Sequence, residues 1–301
     1  MISPNPSFAA IEAGGTKWRI AVGAGVKQSS RIEIETREPD ETLDEVLAFI
    51  ECEVELQGPL AGLGIGSFGP LGIDPSMPDY GVIGRTPKPN WKDVDLKAIA
   101  RRLDVPYQID TDVNVAALGE LDARAPLQGK LIYVTVGTGI GGGVAERGII
   151  SSGIDHPEMG HVPVRRVAGD EYPGCCPFHR DCLEGLASGP AIEARWGADL
   201  SALGSDHEGL PLIANYLGQL VVSLTLVMAP RKIIIGGGVS QAPGLLDQIQ
   251  QEAHRQLGGY LSRYDELDSL ISLVQGPMLG SNSGLHGAFL LAHQAAAQAE
   301  T

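Results

Sequence analysis

Apolar residues along this chain fall into short runs broken by glycine turns and alternate with stretches of helical spacing. Ala9-Ala10-Ile11 and Trp18 to Gly23 flank Glu12-Ala13-Gly14-Gly15-Thr16-Lys17, a pattern that predicts a β-hairpin around a glycine turn. Leu43, Val46, Leu47 and Ile50 recur at helical spacing within residues 41–56. Residues 62–66 read as a buried strand leading into Ser67-Phe68-Gly69-Pro70, and a Pro/Gly-rich excursion continues to Trp91. A second hairpin is predicted where Leu131 to Val136 enters Gly137-Thr138-Gly139-Ile140-Gly141-Gly142-Gly143 and returns as Val144-Ala145. Two hairpins of one design predict an internal duplication. A third strand-to-glycine junction, Lys232 to Ile235 into Gly236-Gly237-Gly238, follows an uncharged stretch at 210–230, and residues 283–297 predict a closing helix.

Strands alternating with helices place the chain in the α/β class. Its 301 residues suit two domains. These are expected at 1–110 and 111–284, with a final helix near 285–301 packing back on the first. Asn215, Gln219, Ser223 and Thr225 interrupt the uncharged stretch and Pro230 stops it, so a buried core helix is expected there rather than a membrane span. The first ten residues have no basic segment and no long apolar segment, so a secretory signal is not expected and a cytoplasmic protein is. A formal charge of −15 argues against nucleic-acid or anionic-membrane partners.

Glycine is over-represented, at 40 residues. Phosphate groups need backbone N–H donors at close range, and glycine lets the backbone approach. Gly14-Gly15-Thr16 and Gly137-Thr138-Gly139 each add a hydroxyl. Gly137, Gly139 and Gly142 also satisfy G-x-G-x-x-G, but that dinucleotide fingerprint requires a following helix, and Val144 to Ile149 reads as strand and turn. No G-x-x-x-x-G-K-[ST] occurs, which excludes a Walker site. A single glycine turn is simplest as a turn; two matched turns plus Gly236 to Gly238 favour phosphate.

Asp110-Thr111-Asp112-Val113-Asn114 follows a short apolar stretch. Carboxylates there suit general-base, metal or sugar-hydroxyl roles, while Thr111 or Asp112 could equally cap the next helix. Downstream, Cys176, His179 and Cys182 at three-residue steps, with His161 fifteen residues before, supply four nitrogen and sulfur ligands for tetrahedral zinc. His156 is the second choice for the upstream ligand. Four protein ligands leave no open position, so the zinc is expected to be structural. Cys175 is expected to stand outside the set and Cys52 to pack within the first helix.

These residues resemble the ROK family of bacterial sugar kinases, and within it the zinc-containing fructokinases. The matching segments are Ile11 to Lys17, Gly66 to Pro70, Thr86-Pro87-Lys88-Pro89-Asn90-Trp91, Asp110 to Glu120, Gly137 to Gly143, Glu158-Met159-Gly160-His161 and Cys176 to Gly189. The resemblance implies an actin/hexokinase-like (ribonuclease H-like) fold of duplicated α/β domains with the active site in the cleft between them. It implies ATP, Mg²⁺ and structural Zn²⁺ as cofactors, a hexose as substrate, and homodimers, which are frequent in the family. By the same likeness Asp112 is the general base. Asn114, Glu158, His161, Glu184, Gly69 and Pro70 shape the sugar pocket. Gly14, Gly15, Thr16 and Lys17 form the first phosphate loop, Gly137, Thr138 and Gly139 the second, and Gly236, Gly237 and Gly238 the adenosine site. Glucose, mannose or N-acyl-hexosamine kinases of the family and a non-catalytic sugar-binding regulator are the alternatives. Glu12 stands where much of the family has aspartate, and Thr111 where many members have asparagine. About ten residues precede the first strand, so the helix-turn-helix of ROK repressors is not expected here.

Overall fold

A computed structural model describes residues 6–299. Two compact units form. Among the described residues, one comprises 6–125, 148–156 and 281–299, the other 126–147 and 157–280. Chain order begins with β1 (Ser7–Ala13), β2 (Lys17–Gly25), β3 (Gln28–Glu35), α1 (Pro39–Gln57), β4 (Leu60–Ser67), α2 (Lys97–Leu103), β5 (Tyr107–Thr111) and α3 (Asp112–Ala123). It continues with β6 (Leu131–Val136), β7 (Ile140–Glu146), β8 (Ile149–Ile150), α4 (Leu183–Ala187), α5 (Gly189–Trp196), α6 (Leu200–Leu203) and α7 (Gly209–Met228). The chain closes with β9 (Lys232–Gly236), α8 (Leu245–Leu257), α9 (Leu267–Leu273), β10 (Val274–Gln275) and α10 (Ser283–Ala299).

The sheets run β3-β2-β1-β4-β5 and β10-β9-β6-β7-β8. In each, an antiparallel hairpin (β1–β2, β6–β7) adjoins parallel partners (β4 and β5, then β9 and β10). The two units therefore repeat one topology, the duplication that the paired glycine hairpins foreshadow. Central strands β1 and β6 are buried on both faces, which accounts for their nearly unbroken apolar sequence.

The units divide after Ala125 rather than at residue 110, because α3 packs against α10 instead of joining the second unit. Glu120 is fully buried on α3 and accepts from Ser283 Oγ at 2.6 Å, with Arg124 as its ion-pair partner. α10 lies across β4, where Gly62 and Gly64 admit the helix backbone at Ala292 and Ala288. α7 is long and apolar enough to cross a membrane, yet Leu210, Ile213, Tyr216, Leu217, Leu220 and Val221 are buried in its unit's core. Cys52 is exposed rather than packed. α1 turns Thr42, Val46 and Ile50 inward, and a residue two steps past Ile50 falls on the opposite side of a 3.6-residue helix.

Candidate functional site

The first glycine loop joins β1 to β2. The Gly14 N–H donates to Lys17 O at 3.0 Å, and the Thr36 hydroxyl donates to Gly14 O at 2.8 Å. The second loop, between β6 and β7, closes in the same way, with Gly137 N–H donating to Gly139 O at 2.9 Å. Each loop's first glycine thus uses its N–H to make the turn, leaving Gly15-Thr16 and Thr138-Gly139 at the tips. This narrows the sequence expectation, in which the first glycines were themselves phosphate donors. The Gly236–Gly238 segment ends β9 beside β6 and adjoins the second loop. Gly237 has φ +89°, and a Cβ there would lie 2.7 Å from Thr135 Oγ1, so glycine is required twice over.

An open pocket of about 460 Å³ borders the first loop, lined by Gly15, Thr16, Lys17, Glu33, Thr36 and Lys88. Lys17 Nζ pairs with Glu33 at 3.0 Å, and Lys88 Nζ donates to Thr36 O at 3.1 Å. A neighbouring pocket of about 220 Å³ reaches Glu12 and Arg19. Glu12 Oε2 is sealed from solvent without a hydrogen-bond partner among the described residues, with Arg19 NH1 3.5 Å away. Burial, the largest influence, pushes the Glu12 carboxyl up to about 7 against the pull of Arg19, and the charge of Asp112 adds to the rise. An orphaned carboxylate oxygen beside a glycine loop is a donor that suits a cation such as Mg²⁺.

Asp112 opens α3. Thr111 is the N-cap, its hydroxyl accepting from Asn114 N at 3.3 Å, and Asp112 Oδ1 accepts from Val113 N at 2.9 Å. The cap therefore falls to Thr111, and Asp112 is the first helical residue. Asp110 Oδ1 accepts from Thr111 N and from Asn114 Nδ2, both at 2.7 Å. Burial raises the Asp110 carboxyl to about 6, against the lowering effect of the Asn114 amide. Gly69 precedes a cis Pro70. His156 Nε2 accepts from Leu71 N at 3.2 Å in the same unit, so His156 is not the metal-site alternative.

In the other unit, His161, Cys176, His179 and Cys182 bring one donor atom each to within 4.8 Å of one another. His161 Nδ1 lies 3.7 Å from Cys176 Sγ and 3.6 Å from Cys182 Sγ, and His179 Nδ1 lies 3.8 Å from Cys176 Sγ. Tetrahedral zinc with Zn–S near 2.3 Å and Zn–N near 2.05 Å requires S···N edges of about 3.6 Å. The residues fit the metal. Cys175 stands exposed outside the set. His161 turns its second nitrogen, Nε2, toward Glu184 Oε1 at 3.9 Å and Glu158 Oε2 at 4.0 Å. Glu184 also accepts from Ile140 N through Oε2 at 2.9 Å, joining the cluster to the second glycine loop.

Sequence reasoning passed over Thr36, Arg19 and Lys88. Lys88 lies inside a motif already singled out, as does Asp110, one of the two carboxylates weighed before α3. Thr36 carries no local signal, since only strand pairing brings it to the loop, whereas Arg19 stands opposite Glu12 within the hairpin itself.

Residues 8–295 match the ROK family. A relative in Bacillus subtilis (strain 168) is 42% identical over 288 residues, 95% of each chain. The fructokinase of Pediococcus pentosaceus is 41% identical over 289 residues, 95% of this chain and 97% of its own. The crystal structure of a ROK hexokinase from Thermus thermophilus matches with a TM-score of 0.77 at 26% identity, covering 96% of this chain and 98% of that one.

Proposed function

This chain belongs to the ROK family, and on that premise we propose that it is an ATP-dependent fructokinase with Asp112 as the general base. Its fold is the hexokinase-like α/β fold. The observation that carries the mechanism is the carboxylate group around the first glycine loop: Asp112 held at the start of α3, and Glu12 on a pocket lined by Gly14 to Lys17. Asp112 takes the proton of the fructose O6 hydroxyl as that oxygen forms its bond to the γ-phosphorus, and the bond from that phosphorus to the bridging oxygen breaks to release ADP. Val113 N–H fixes one Asp112 oxygen. The tips of the glycine loops, with Lys17, receive phosphate oxygens, and Gly236 to Gly238 the adenosine.

Asn114, Glu158, His161 and Glu184, with Gly69 and Pro70, are assigned to the sugar pocket. Carboxylate, amide and imidazole groups suit a polyol because each buried hydroxyl needs a partner. Mg²⁺, when bound, neutralises charge on the ATP phosphates, and Glu12 is the residue assigned to it. Zinc is assigned to His161, Cys176, His179 and Cys182 as a structural ion, and His161 carries its order to Glu158 and Glu184. We place the protein in the cytoplasm, where its four cysteines stay reduced and free of disulfides.

The test is Asp112→Ala. Turnover with fructose should fall about 10²- to 10⁴-fold, while calorimetry should record fructose binding close to that of the parent. Unchanged turnover refutes the role.

A further inference from the structure

Glu12 is framed from two sides, and one of them comes from the opposite end of the chain. Arg19 NH1 donates to Ser281 O at 2.7 Å and stands 3.5 Å from Glu12 Oε2. Three residues past Arg19's carbonyl partner, in the first turn of α10, comes Gly284. A Cβ on Gly284 would lie 2.7 Å from Glu12 Cδ, 2.8 Å from Oε1 and 2.9 Å from Cγ. The atoms in conflict are the end of one flexible side chain. Added bulk is therefore relieved most easily by moving the Glu12 carboxylate, not the helix. Oε1 rests against Gly284, while Oε2 is the oxygen left without a hydrogen-bond partner among the described residues.

We propose that Gly284 and Arg19 are positioning residues for Glu12, and that the absent side chain at 284 leaves the space in which a glutamate can direct its carboxylate at the cation accompanying the nucleotide. This rests on the reading of Glu12 as the residue that meets that cation. Alanine at 284 suits a helix better than glycine does, so the substitution separates fold from function. The fold gains or stays level while the carboxylate is displaced.

Calorimetry of ADP binding, with Mg²⁺ and with EDTA, reads the effect without turnover. In the parent, Mg²⁺ should strengthen ADP binding. Gly284→Ala should reduce that gain about tenfold, the size of one lost ion contact, with no fall in melting temperature. Glu12→Asp combined with Gly284→Ala should bind better than the two single effects combined predict, because the shorter side chain withdraws from the new Cβ. Arg19→Gln, which adds no volume, should also weaken the Mg²⁺ gain and serves if Gly284→Ala does not fold. If Glu12→Ala abolishes the gain while Gly284→Ala and Arg19→Gln leave it intact, the positioning claim is overturned and the reading of Glu12 stands. If Glu12→Ala leaves the gain intact, both are overturned.

Discussion

The His/Cys cluster of one unit and the carboxylate site of the other both hold polar groups out of bulk water, by different means. The cluster's donors come from one stretch, His161 to Cys182, and a single ion can satisfy all four at once. Glu12 and Asp110 are held instead by packing, by near neighbours (Arg19 across the β1–β2 hairpin and Asn114 one helical turn on) and, for Glu12, by the remote α10 turn at Ser281 to Gly284. The first arrangement is local in sequence and, on the proposed zinc assignment, is expected to depend on its ion. The second is global, depends on the fold, and leaves Glu12 Oε2 without a hydrogen-bond partner among the described residues. A structural centre needs closure, whereas a site for a substrate must keep a donor in reserve.

Removing a ligand from the cluster is the larger way to break this contrast. Structural zinc contributes binding energy of about 10–16 kcal/mol in small peptides, comparable to the whole stability of a domain. Cys182→Ser should therefore lower zinc below one per chain by metal analysis and expose residues 175–184 to proteolysis. Chelator should reproduce both effects in the parent. Full zinc content in Cys182→Ser would remove Cys182 from the ligand set.

A smaller effect should separate the carboxylate site by pH. The folded chain holds the Glu12 proton up to about 7, against an ordinary value of 4.5, so it binds this proton more tightly than the unfolded chain does. Its contribution to stability should decline as pH rises from about 4.5 to about 7. Glu12→Gln should flatten that part of the profile in denaturant titrations, and Mg²⁺-dependent ADP binding should strengthen over the same interval. The smallest change is expected from Cys175→Ser, which should keep one zinc per chain and shift stability within about 0.5 kcal/mol.

How far each region was legible follows from the same contrast. The grouping of His161, Cys176, His179 and Cys182 could be read from spacing because the four residues fall within one short stretch. The glycine hairpins were equally local, and their repetition announced the two matching sheets. The capping role of Thr111 stayed open in sequence, since a polar run before a helix fits both a cap and a base. The domain boundary was misplaced by one helix because the Glu120–Ser283 bond joins residues 163 positions apart. Arg19 follows from the hairpin, in which it stands opposite Glu12, but Gly284 could not be read at all: nothing in the first glycine loop points to a helix near the far end of the chain.

The most direct test of the account is turnover of purified, zinc-loaded protein with Mg²⁺ and ATP across fructose, glucose, mannose and N-acetylmannosamine. The account predicts the highest kcat/KM with fructose, with fructose 6-phosphate and ADP formed in equal amounts. Absence of ADP release with every hexose would contradict it.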